Sequence, residues 1–146
     1  MFMGGLYWRL FTRHARRRAT CDFVAAVNAR KFDRARQLLA DDLVVADLNG
    51  HEISGADDYI EAERAFRTGS GNPHNHIDTL DYDRGDVLIR GHKLSEHGDI
   101  DGPTMWRVEF HDRLIARIEM TRPPGKLTVV DFKRRQDRAE EARKSA

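Results

Sequence analysis

The sequence predicts an α+β domain in which a curved, mainly antiparallel (mixed) β-sheet wraps around about three N-terminal helices. Three observations carry the prediction. Apolar residues recur at helical spacing from Phe23 to Leu39 and again from Tyr59 to Phe66, then alternate at strand spacing from residue 74 to 122. Two-residue turn signals, Arg84-Gly85 and Asp112-Arg113, each sit between two strand-like runs. Helices followed by a meander of long strands must bury the apolar stripe of one against the apolar face of the other.

The elements follow in order. Residues 1–19 form a basic extension, MFMGGLYWRLFTRHARRRA, in which Leu6, Tyr7, Leu10 and Phe11 are interleaved with Arg9, Arg13, Arg16 and Arg17. It reads as a helical extension of the first domain helix, with contact to a membrane surface and organelle targeting as the competing readings. Its charge follows its apolar residues and it has no apolar h-region, which argues against a secretory signal. Phe23, Val24 and Val27, then Phe32, Ala35, Leu38 and Leu39, give a helix, a break near residues 28–31, and a second short helix with Asp33 as N-cap. Leu43 to Leu48 reads as a strand, and Asn49-Gly50 turns the chain into residues 51–54. After Gly55 a third helix places Tyr59, Ala62 and Phe66 on one face, and the run from Gly69 to Pro73 stops it. Strands at 74–83, 86–96, 104–111 and 114–122 complete the domain, and Pro123-Pro124-Gly125 closes it. Residues 123–146 read as a charged tail, helical or solvated.

Composition narrows the function classes. The single cysteine, Cys21, excludes an internal disulfide. Charged residues make up 34% of the chain and no apolar run has a membrane-spanning length, so a cytoplasmic protein is expected, with organelle targeting through the Arg-rich N-terminus as the alternative. The net charge of +1 is segregated: five Arg and no acid in residues 1–18, a net of −7 over residues 19–122, and +3 over residues 123–146. An acidic body offers no groove for nucleic acid. No phosphate-cradling loop, metal-binding cysteine set or nucleophile motif is present, so neither a cofactor nor a metal is expected.

The stretch FVAAVNARKFDRARQLLADDLVVADLNGHEISGADDYIEAERAF resembles the opening of a nuclear transport factor 2-like domain, the SnoaL-like or ketosteroid-isomerase-like fold, and VEFHDRLIARIEM is similar to its late hairpin. The usual turn glycine of that hairpin is Arg113 here. The resemblance covers residues 20–122 and implies a cone-shaped sheet with a pocket between sheet and helices. It also implies a small hydrophobic organic ligand and a homodimer. On the ketosteroid isomerase pattern the general base falls on Asp47. The two oxyanion donors fall on Phe23, which cannot donate, and on Trp106, which offers only an indole N–H. Loss of one such donor typically costs ~10²–10³ in rate, so steroid isomerisation by that route is disfavoured.

Pairing outward from Arg84-Gly85 sets Asp83 against Asp86, Tyr82 against Val87, Leu80 against Ile89 and Asp78 against Gly91. That register predicts His76, Asp78, Leu80 and Tyr82 on the inner face, with open space over Gly91. The other face, with Leu88, Arg90 and His92, is then available to a dimer partner. His76 with Asp78 suits general acid–base work, because imidazole titrates near neutral pH and a carboxylate holds its tautomer. His74, His76 and Asp78 at alternate positions also have metal-ligand spacing, and a polar strand start is the plain reading. The pocket wall is expected from Phe23, Tyr59, Tyr82, Ile89, Trp106, Val108 and Phe110. Two functional readings follow. One is a lyase-, isomerase- or cyclase-type enzyme with carboxylate–histidine chemistry at Asp47, His76 and Asp78. The other is a non-catalytic ligand-binding or protein-interaction domain of the same fold.

Overall fold

The structure, a computed structural model, describes the backbone of residues 2–146 and the side chains of residues 5–146. The elements are α1 (Phe2–Asn28), α2 (Phe32–Gln37), β1 (Leu39–Ala46), β2 (Glu52–Ser54), α3 (Ala56–Gly69), β3 (His74–Asp83), β4 (Asp86–Leu94), β5 (Gly102–His111), β6 (Leu114–Thr121) and α4 (Val129–Ser145). The strands form one mixed, unclosed sheet in the order β2-β1-β6-β5-β4-β3. Every pairing is antiparallel except that of β1 with β6. Register shifts with extra residues in β1, β3 and β6 bend the sheet around the helices. The core lies between them: Phe23 and Val27 of α1 and Tyr59 and Phe66 of α3 pack on Val45, Val87, Ile89, Trp106, Val108, Ile115 and Ile118. No helix among the described residues is long and apolar enough to cross a membrane.

Several local expectations give way to tertiary structure. Asp33 is not the N-cap of α2. Lys31 holds that position without a side-chain bond, and Asp33 lies in the first turn, where its charge favours the helix dipole. Leu39, assigned to the helix by spacing, opens β1, because its backbone neighbour Leu38 accepts the Ile115 N–H and draws the chain into the sheet. The core does not end at residue 122. Leu127, Val129 and Val130 are buried, and α4 is an ordered helix started by a capping box between Thr128 and Asp131. Residues 2–19 belong to α1, which runs without interruption into the domain.

The β3–β4 hairpin shows how a register can be right near its turn and wrong beyond it. Arg84 and Gly85 take φ of 51° and 93°, as the tight primed turn requires. The pairs Asp83↔Asp86, Tyr82↔Val87 and Leu80↔Ile89 then form as the turn dictates. At Asp78 one extra residue bulges out, and Ile77, not Asp78, faces Gly91. Past the bulge the faces exchange. Ile77 and Asn75 turn toward the core, while His76 and Asp78 turn away. Gly91 is not a vacancy for a ligand: a Cβ there would overlap the His76 carbonyl oxygen. The glycine is what lets the bulged backbone come so close.

Candidate functional site

The inner face of the cone carries a cluster of buried polar side chains that begins on α3. Tyr59, Glu63 and Arg67 recur every fourth residue, so one helix face turns all three toward the sheet, and all are buried. Arg67 donates from Nε to Glu63 at 2.9 Å, and from Nη1 to Asn72 Oδ1 at 3.0 Å and the Pro73 carbonyl at 2.6 Å. Its Nη2 and the Tyr59 hydroxyl have no hydrogen-bond partner. The sheet answers with Asn75 and Lys93, paired across β3 and β4 and both buried. The Asn28 side chain grips the Asn75 backbone through two bonds, of 2.9 and 2.8 Å, yet the Asn75 side-chain amide is itself unpartnered. Thr104 and Trp106 of β5 extend the cluster, with Trp106 Nε1 donating to Thr104 Oγ1 at 3.1 Å.

Burial sets the protonation of this cluster. The Lys93 ammonium lies 5.0 Å from the Phe66 ring centre. Its pKa falls from 10.5 to about 8, chiefly through desolvation; the Glu63 charge opposes the fall, and the Arg122 and Arg67 charges add to it. The Tyr59 phenol is pushed well above its usual value by burial first and by the Glu63 carboxylate second. The Arg67 guanidinium, an amine with its pKa lowered to about 8 and a neutral phenol therefore share one buried interior.

The chain after the last strand closes this interior. Val129 and Val130 of α4 are fully buried, and Phe132 meets the edge of Phe66 at 5.4 Å between ring centres. Arg122 fixes the approach to α4 by donating to the carbonyls of Leu127 (2.8 Å), Pro103 (3.2 Å), Gly102 (3.3 Å) and Ile100. The first turn of α4 thus acts as a lid over the polar cluster.

Outside the lid, at the same end of the sheet, lies an open cleft of about 490 Å³ between the β1–β2 turn, the residue 122–128 segment and α4. Asp47 lines it. Its Oδ1 accepts the backbone N–H groups of Asn49 (2.8 Å) and His51 (3.0 Å). Its Oδ2 has no hydrogen bond and lies 3.4 Å from His51 Nδ1.

The structure separates Asp47 from His76 and Asp78, the two residues expected to share chemistry with it. Asp47 does not face bulk water, since its side chain is only 3% exposed. His76 and Asp78 do pair, at 3.5 Å, but on the outer face of the sheet, where Asp78 also meets His92 Nδ1 at 2.6 Å. Phe23, Tyr59, Ile89, Trp106 and Val108 are packed into the core, with Phe110 at its margin. Tyr82 sits at the opposite end of the sheet under the Arg13 guanidinium. Lys93, Glu63, Arg67 and Asn75 were missed by sequence reasoning. Lys93 was within reach, because the alternation Val87, Ile89, Gly91 continues to it. Glu63 and Arg67 follow Tyr59 at helical spacing. Asn75 was hidden by the bulge.

Residues 21–132 match the family described as a SnoaL-like domain. Among solved structures, a candidate ketosteroid isomerase from Kribbella flavida is 19% identical, with a TM-score of 0.68 over 76% of this chain and 79% of that one. A cystatin-fold protein from Novosphingobium aromaticivorans is also 19% identical, with a TM-score of 0.66 over 73% and 97%. A candidate polyketide cyclase from Sinorhizobium meliloti is 18% identical, with a TM-score of 0.64 over 70% and 92%. No curated protein matches.

Proposed function

The chain belongs to the SnoaL-like domain family, and on that footing we propose that it binds a compact organic molecule inside the cone and moves a proton on it. The reaction class is that of isomerases, lyases and cyclases. One observation carries the reading. Three polar side chains in a single buried region, Tyr59, Arg67 and Asn75, have atoms with no hydrogen-bond partner. A buried polar group left unpaired costs ~1–3 kcal/mol, and native proteins leave few of them. The Tyr59 hydroxyl, Arg67 Nη2 and Asn75 Nδ2 can all donate, which calls for an acceptor such as a carbonyl or carboxylate oxygen of the ligand, and Asn75 Oδ1 calls for a ligand donor beside it. Lys93, with its pKa near 8, is placed to take or give the proton at neutral pH. Arg67 and Asn75 hold the oxygen, and Glu63 keeps Arg67 in place. The carboxylate–histidine chemistry expected from the sequence gives way here to amine chemistry, because His76 and Asp78 point out of the cone.

The test begins with a thermal-shift screen of the purified chain against aromatic, terpenoid and steroid molecules bearing carbonyl or carboxylate groups. A ligand at ~100 times its dissociation constant adds about 2.7 kcal/mol to stability. Tyr59→Phe removes only the unpaired hydroxyl, so without ligand it should be more stable than the native chain, by about 1 kcal/mol. With the ligand that same variant and Lys93→Met should lose most of the added stability. Undiminished stabilisation of both variants would rule the interior out as the site.

The packing of α4 favours a second reading, a non-catalytic interaction domain, since Val129 and Val130 at its start are fully buried in the core. A screen without a single hit, combined with Tyr59→Phe being no more stable than the native chain, would favour it over the enzyme.

A further inference from the structure

The open cleft has a chemistry of its own, independent of the interior. Asp47 ends up there because the β1–β2 turn folds back on its side chain, and two backbone N–H groups satisfy Oδ1. Oδ2 is left buried and unpartnered on a side chain that is 97% covered, and the neighbouring His51 Nδ1 is buried and unpartnered as well. The two atoms stand 3.4 Å apart. That is too long for a charge-assisted hydrogen bond, which closes to ~2.7–2.9 Å. It matches the ~3.4 Å that separates two ligands bound ~2.1 Å from a tetrahedral ion. The first turn of α4 brings a second carboxylate to the same point. One donor atom each from Asp47, His51 and Asp131 lie within 4.8 Å of one another. Asp131 Oδ2 accepts the Thr128 N–H at 3.3 Å, so only one of its two oxygens is engaged by the helix cap.

We propose that Asp47, His51 and Asp131 form a binding site for a divalent cation, with Zn²⁺ the best fit. Two carboxylates and an imidazole suit it in charge and in softness, and three protein ligands leave a fourth position open toward the cleft. The ion would supply the partner that both buried atoms lack and offset the repulsion between the two carboxylates. It would also tie the β1–β2 turn to the helix that seals the cone.

The test uses the full chain, stripped with a chelator and titrated with Zn²⁺ by calorimetry and against a chromophoric zinc indicator. One-to-one binding of micromolar affinity or tighter is expected, with a rise in the unfolding temperature. His51→Gln and Asp131→Asn should each weaken binding by at least ~10-fold. Both variants fold for stated reasons: His51 is 35% exposed, and asparagine at position 131 retains an oxygen for the capping bond. His92→Gln, on the outer face, should leave binding unchanged, as should Lys93→Met in the interior. Absence of saturable binding overturns the proposal. So does binding that survives His51→Gln and Asp131→Asn but falls with His92→Gln, which would move the ion to the histidines of the outer face. A third overturning result is loss of binding with Lys93→Met, because the cleft would then not be separate from the interior. Zinc binding without any organic ligand for the cone would leave the site standing and remove only the enzymatic reading.

Discussion

At the scale of single residues, Lys93 gives the interior a signature in solution. Folded, its ammonium loses its proton near pH 8; unfolded, it does so near 10.5. Between those values the unfolded chain holds more protons, so stability rises with pH, by up to about 3 kcal/mol if nothing else titrates. The penalty of a buried charge is fully present below pH 8 and relieved above it. Tyr59 acts in the opposite sense. Its phenol is raised well above 10 in the folded chain, so the unfolded chain ionises first and stability falls once the pH passes 10. Urea midpoints taken from about pH 7 to 11 should therefore climb between 8 and 10 and then turn over. In Lys93→Met the climb should vanish and stability at neutral pH should increase. A flat profile in the native chain would mean that the amine is hydrated after all.

At the scale of elements, the bulge in β3 is the feature that decides which side chains enter the cone. Gly91→Ala should destabilise the fold by ~3 kcal/mol or more, since its Cβ would overlap the His76 carbonyl. Deleting Asp78 should be mild alone, because Ile77 next to Thr79 keeps its inward face. The same deletion should rescue Gly91→Ala by removing the bulge that presses on position 91. Calorimetric unfolding temperatures of the two variants and their combination check this, and an unaffected Gly91→Ala would refute it. This element also marks where the sequence stops being legible. A two-residue turn fixes register for as many pairs as the alternation lasts, and the hairpin was readable as far as Leu80 and Ile89. A bulge has no composition of its own, and the one trace it left, a glycine in the facing strand, was read as room for a ligand. Without the bulge His76 would point inward, so the error in register became an error in the site. The lid was lost for another reason. The charge of residues 131–146 obscured Leu127, Val129 and Val130 beside a Thr128–Asp131 cap, a pattern that does announce a docked helix. Asp47 was identified by resemblance, but its burial depends on a turn whose geometry the sequence leaves open.

At the scale of the molecule, the N-terminal half of α1 is turned inside out. Arg16 donates to the carbonyls of Gly85 and Asp112, one in each hairpin turn, and its guanidinium covers Phe110. Leu6, Tyr7, Trp8 and Leu10 face outward. Removing residues 1–10 should change stability by no more than ~0.5 kcal/mol, because Leu6, Tyr7, Trp8 and Leu10 are exposed. The same truncation should reduce the binding of apolar dyes, and a large fall in the unfolding temperature would instead make the segment part of the core. The order of the strands has a consequence in time. β1 lies next to β6, so Val44, Val45 and Ala46 wait for residues 117–119 before that edge is paired. At 5–20 residues per second, a ribosome takes about 4–15 s to make the intervening stretch. Throughout that interval the nascent chain carries an apolar strand with one bare edge. A ribosome that stalls before residue 117 leaves a product that cannot close its sheet, and such a fragment is one for chaperones and proteases to clear.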